Sequence, residues 1–215
     1  MMPLGDDDSG RRSTPVVTYA LIALNVLVFL LETSAGNAFI EQWAFVPARF
    51  LANPAAEFIT IFSSMFMHAG TLHLGGNMLY LWIFGDNVED NFGAVKYLIF
   101  YLLAGIGATF LQLFFSLDST IPNLGASGAI AGVLGAYLVM FPRGQIRVLV
   151  GRVLTTSNAL IVIGFWFVLQ LFSGVGSIGA ADTGGVAYMA HVGGFVAGLL
   201  LSFVFRDTSR LTPRM

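Results

Sequence analysis

The chain has no cysteine. Disulfides, thiolate catalysis and cysteine-held zinc or iron–sulfur clusters are therefore excluded. Charge is nearly as scarce. Ten basic and twelve acidic residues make up 10% of 215 positions, where an ordinary soluble domain carries roughly 25%. A water-soluble fold of this size needs a charged skin, and so few ionic side chains cannot supply one. The net charge of −2 gives no basic field for a phosphate backbone, which argues against nucleic acid as a partner. No internal repeat is visible, which counts against an inverted-repeat transporter. What is abundant is apolar surface: 56% hydrophobic residues, 20 of the side chains Phe, and a mean hydropathy of +0.80. A disordered, solvated chain is excluded by the same numbers. The composition is that of an integral membrane protein.

A bilayer core takes about 20 apolar residues per helix. Apolar runs fall near 16–34, 71–90, 94–115, 127–141, 157–174 and 185–205. They predict an all-α polytopic membrane protein, a six-transmembrane-helix bundle over 16–205 with short cytoplasmic tails at 1–15 and 206–215. The first run follows Arg11 and Arg12, but no A-x-A-like cleavage site ends it, so it reads as a retained helix. Residues 35–70 are half apolar, with Trp43, Phe45, Pro47, Phe50 and Phe58, and predict a long structured loop partly embedded in the membrane. Six crossings put both ends and the second and fourth loops on one side. That side holds nine of the ten basic residues, Arg49 alone lying opposite. The bias places both termini in the cytoplasm. Asp6, Asp7 and Asp8 give the start no transit-peptide character, so a bacterial-type plasma membrane is expected.

Small residues mark close packing. Gly128 and Gly132 form a small-xxx-small pair in the fourth span, and Gly194 and Gly198 form one in the sixth. Such pairs let backbones approach where lipid gives no hydrophobic drive, so spans four and six are expected to touch.

Polar residues inside spans are costly and mark function by default. His73 and Asn77 are four apart and share a helix face. Ser127 opens the fourth span within Gly125-Ala126-Ser127-Gly128, and His191 lies in the sixth. Spans two, four and six all start on the outer side, so these four residues converge in the outer half of the bilayer. Singly, each has a bland reading: a serine bonded to a carbonyl one turn back, an amide or imidazole holding two helices together. At matched depth they suit hydrolysis. Histidine can take the proton that makes serine a nucleophile, while helix N–H groups, an amide and a second imidazole can bind an oxyanion. The carboxylates lie at span ends (Glu32, Asp86, Glu89, Asp90) or in loops (Asp118, Asp182), so the expected site is a Ser–His dyad with His191 held by packing. A transporter would want a mid-membrane carboxylate. A three-histidine metal site is disfavoured because His68 and His73 are five apart with no carboxylate near. No metal and no cofactor are expected.

The motifs His73-Leu-Gly-Gly-Asn77, Gly125-Ala126-Ser127-Gly128 and Ala190-His191-Val-Gly-Gly194, with Phe84-Gly85-Asp86-Asn87-Val88-Glu89-Asp90 ending the second span, resemble those of the rhomboid family of intramembrane serine proteases in its basic six-helix form. The resemblance covers about residues 16–205. It implies Ser127 as nucleophile and His191 as general base. His73, Asn77 and the Ser127 N–H would stabilise the oxyanion, and Gly194 would pack closely beneath the histidine. The implied substrates are transmembrane proteins in the lipid bilayer, cut within or next to their spans. Two departures stand out. Some members carry Trp-Arg in the first loop where this chain has Ile59-Thr60, and some place an aromatic ring one turn after the serine where this chain has Ala131. The alternative reading is a catalytically inactive relative that binds membrane clients; such proteins usually lose the serine or the histidine, and both are here. Residues 127–141 make a helix of roughly 22 Å at 1.5 Å per residue, short of a core about 30 Å thick. That shortfall predicts a water-filled depression, open outward, with Ser127 and His191 on its floor.

Overall fold

The computed structural model describes residues 2–7, 9–177 and 186–210. The expectations placed on residue 185, Asp182 and Arg214 fall outside these ranges. Helix α1 (Val16–Ala35) is followed by four short helices, α2 (Asn37–Trp43), α3 (Pro47–Ala52), α4 (Pro54–Glu57) and α5 (Thr60–Ser63), and a 3-10 turn at Ser64–Phe66. The long helices α6 (Thr71–Phe92), α7 (Ala94–Phe115), α8 (Ser127–Met140), α9 (Ala159–Ser177) and α10 (Tyr188–Phe205) complete the bundle. Among the described residues, α1, α7, α9 and α10 are long and apolar enough to cross a membrane, and α8 is apolar but only 14 residues long. Helix α6 ends on the polar run Asp86 to Asn91, which dilutes its apolar character.

The all-α expectation needs one correction. Strands β1 (Met2–Asp6), β2 (Gln145–Val150) and β3 (Val153–Asn158) form an antiparallel sheet in that order. Its cause lies in the sequence. Ile146 and Val148 are buried while Gln145 and Arg147 are exposed, a period of two, and Val150 pairs with Val153 around Gly151 at φ 63°. Alternation closed by a glycine turn is a hairpin signal. The arginines of this stretch, weighed only as markers of sidedness, masked it. The N-terminal segment is likewise more than a tail. Its strand pairs with β2, and Asp6 Oδ2 accepts hydrogen bonds from Tyr137 Oη (2.7 Å) and Asn87 Nδ2 (2.8 Å).

The polar end of α6 completes α1. Pro15 gives α1 no side-chain cap, and the first N–H groups of a helix lack partners within it. The Glu89 carboxylate accepts from Val17 N (2.9 Å), Thr18 N (2.7 Å) and Thr18 Oγ1 (2.8 Å). Asp90 does the same for Ser13 N (2.8 Å) and Arg12 N (3.1 Å), and Asp86 pairs with Arg11 at 2.6 Å. A negative group at a helix start is favourable twice over, through hydrogen bonds and through the helix dipole.

Helices α8 and α10 run in backbone contact. A Cβ placed on Gly194 would strike the Gly128 carbonyl oxygen, and one on Gly198 would strike that of Gly132. The glycines at these positions are what lets the two helices approach. Helix α9 contrasts with them: of its 19 residues only Ala159, Val162, Ile163 and Gly174 are buried.

The first loop holds the approach to α8. Phe45 and Asn123 exchange backbone hydrogen bonds (2.7 and 3.2 Å), Ala48 N donates to Ser119 O (3.0 Å), and Gly125 N donates to Ser64 O (2.9 Å). The loop itself is pinned by Arg49, which donates to Glu41 O and to Ala44 O (2.7 Å) and pairs with Glu57 at 2.7 Å. The loop's anchor is thus Arg49, ten residues before Ile59-Thr60.

Candidate active site

Ser127 is the first residue of α8, so its own N–H is among the donors that find no acceptor within the helix. His191 sits one turn into α10. The glycine seam between these helices brings Ser127 Oγ to 2.8 Å from His191 Nε2. An imidazole nitrogen at that distance can take the hydroxyl proton as the oxygen attacks.

His191 is gripped on its other side. Nδ1 lies 2.7 Å from Gln170 Oε1 on α9. With Gln170 Oε1 as the acceptor, Nδ1 carries the proton and Nε2 presents its lone pair to Ser127. Trp166, one turn before Gln170 on α9, sets its ring 5.9 Å from the imidazole at 34°, and Tyr188 approaches edge-on at 6.4 Å. The expectation that packing alone holds His191 is thus extended by an amide hydrogen bond. Gln170 is a further residue that sequence reasoning missed. Its signal is the one that singles out Asn77, an amide within an apolar run.

His73 and Asn77 stand on α6 across from the pair. Ala69 N donates to His73 Nδ1 at 3.3 Å, which leaves the ring's proton on Nε2. That Nε2 is next to the loop before Ser127: a Cβ on Gly125, whose φ is 138°, would come within 3.1 Å of it. A side chain there would be strained in backbone and would crowd the imidazole. Asn77 is buried, and among the described residues its Nδ2 has no hydrogen-bond partner. An unsatisfied buried donor is rare and costly in a resting fold, and calls for a reason.

All four residues line one cavity of about 630 Å³, together with Trp166, Ala131 and the loop residues Ile121 to Leu124. That volume suits a peptide segment or small ligand rather than a single water. Donors therefore gather opposite a hydroxyl that has a base at hand, the arrangement that acyl transfer requires. Glu32, an acidic residue in a long apolar helix, is engaged elsewhere: its Oε2 accepts from His68 N at 3.0 Å, tying the end of α1 to the segment that leads into α6. Among the described residues, no group of three His, Asp or Glu side chains is placed to hold a metal ion.

Comparison with known proteins places the chain in a family. Residues 55–208 match the model of the Rhomboid domain. The chain is 33% identical over 196 residues to the "Rhomboid protease GluP" of Bacillus subtilis, covering 89% of this chain and 36% of that protein. It is 30% identical over 190 residues to "Rhomboid protein 1, mitochondrial" of Saccharomyces cerevisiae, covering 86% of this chain and 51% of the relative. The chain thus spans a third to a half of the length of these relatives. On the domain match and on identity across most of its length, this integral membrane protein belongs to the Rhomboid family.

Proposed function

We propose that the protein is an intramembrane serine endopeptidase that cleaves transmembrane proteins within or next to their spans by a Ser127–His191 dyad. Ser127 Oγ attacks the scissile carbonyl carbon as His191 Nε2 takes its proton. The imidazolium then returns that proton to the departing amide nitrogen, and water repeats the sequence to release the acid. The negative oxygen formed in each step is held by the Ser127 N–H, Asn77 Nδ2 and His73 Nε2–H. The observation that carries this reading is the 2.8 Å approach of Ser127 to His191 beside the unpartnered Asn77 amide. The name of the Bacillus subtilis relative, a rhomboid protease, supports it. The test is incubation of purified protein with a panel of single-pass substrates. Wild type should cleave, Ser127→Ala and His191→Ala should each be inactive, and the double variant should be no worse, because the pair acts as a unit. Wild-type cleavage by Ser127→Ala would overturn the mechanism. A wild type that binds these substrates without cleaving them would make the chain a client-binding relative.

The bundle is proposed to cross the membrane six times, in a bacterial-type plasma membrane, with both termini cytoplasmic and the cavity facing outward. Support comes from the arginines at the β2–β3 end against Arg49 alone at the first loop. Because the chain is free of cysteine, single cysteines report sidedness directly. Ser119→Cys should react with an impermeant reagent outside intact cells and Gln145→Cys should not. The reverse pattern would invert the topology.

A further inference from the structure

We infer that Gln170 is a positioning residue for the base: its carbonyl oxygen, 2.7 Å from His191 Nδ1, holds the imidazole in the tautomer that serves Ser127. The inference rests on the Ser127–His191 reading and deepens it. A neutral imidazole carries one N–H, on either nitrogen. With the proton on Nδ1, the ring donates to Gln170 and its Nε2 lone pair faces the serine hydroxyl. With the proton on Nε2, the Gln170 amide would have to turn over to offer its NH2 to Nδ1, and the serine would face an N–H, which cannot take its proton. Gln170 therefore acts through His191 and touches no substrate.

Three observations carry the assignment. First, among the described residues, the carboxylates at the ends of α1 and α6 are engaged elsewhere. Glu32 accepts from His68 N, and Asp86, Glu89 and Asp90 bind the start of α1 and the residues before it. Second, an amide sets a tautomer without placing a charge in the membrane, where an ionised carboxylate is costly. Third, the helix that bears Gln170 also bears Trp166, four residues earlier on the same face and 5.9 Å from the imidazole ring. One turn after Ser127, Ala131 offers only a methyl group toward the cavity, so the aromatic wall beside His191 comes from α9 as well. Both restraints on the base are contributed by a helix of whose 19 residues only four are buried.

The experiment reads His191 in the intact, substrate-free protein by 15N NMR of histidine-labelled samples, its signals identified by their loss in His191→Ala. Wild type should show a protonated Nδ1 and an unprotonated Nε2. In Gln170→Leu the two shifts should move toward each other as tautomers mix, and kcat on a transmembrane substrate should fall about tenfold, the worth of one such hydrogen bond, with KM within about twofold. Gln170→Glu keeps an acceptor at Nδ1 and should retain the wild-type signature. It also serves where the leucine variant does not fold. The inference is overturned if Gln170→Leu leaves the tautomer unchanged, if KM changes in place of kcat, or if Gln170→Glu loses the Nδ1 proton. The signature is read without substrate. A wild type inactive on every substrate would therefore count against the protease reading while the tautomer measurement still decided the role of Gln170.

Discussion

Helices α8 and α9 lie on either side of His191 and hold it by different physics. Toward α8, contact is backbone against backbone: the glycines of α8 and α10 leave no room for a single added carbon. Toward α9, contact is made by side chains, the Gln170 hydrogen bond, the tilted Trp166 ring and the stacked Phe167–Phe195 pair, from a helix with only four buried residues. The seam fixes how far His191 is from Ser127, and a seam this tight has little give, because packed interiors resist deformation. The α9 contact bears only on how the imidazole is turned. Distance and orientation are thus assigned to separate helices, and substitutions on the two should fail in different ways.

The largest effect is expected at the seam. Gly194→Val drives a branched side chain into the Gly128 carbonyl. Overpacking costs about 1–3 kcal/mol where side chains can yield, and more against backbone. The variant should lose most of its thermal stability and all activity, measured as Tm in detergent and as cleavage. A Gly194→Val protein with wild-type Tm would show that the helices separate easily. Next comes Asn77→Ala, which should lower kcat by about 10²–10³ and leave Tm unmoved or raised, since the lost Nδ2 satisfies nothing in the resting fold. A falling Tm with intact kcat would make Asn77 a helix tie. The smallest effect is expected on the outer face of α9. Phe172 is 73% exposed, and Phe172→Ala should change stability by less than about 0.5 kcal/mol and leave cleavage of a transmembrane substrate near wild type. A large loss there would mean that α9 is held by something on its lipid face.

The long helices were legible in the sequence because water-soluble folds rarely hold apolar runs of bilayer length. The cluster of Ser127, His191, His73 and Asn77 was legible because polar side chains in such runs stand out, and because three helices bring their N-terminal halves together. The sheet was not. Its strands of five or six residues gave too short a signal beside runs of twenty, and strand β1 could find its partner only through contact with residues far along the chain. The anchoring by Arg49 was also out of reach, since two of its acceptors are backbone carbonyls, which leave no trace in residue identity. Gln170 is the middle case. The residue was visible, but its direction toward His191 depends on how α9 is rotated, and that rotation is set by tertiary packing.

The carboxylate that caps α1 also sets a timetable. Val17 and Glu89 are 72 residues apart in the chain. At synthesis rates of about 5–20 residues per second, the cap arrives roughly 4–14 s after the helix start it serves. Until then, the first turn of α1 must bond its free N–H groups to water or to lipid headgroups, which keeps that end at the bilayer surface. The start of α1 is therefore finished by the far end of its partner helix, and the two form one unit of assembly, a helical pair completed only when α6 has been made through to Glu89.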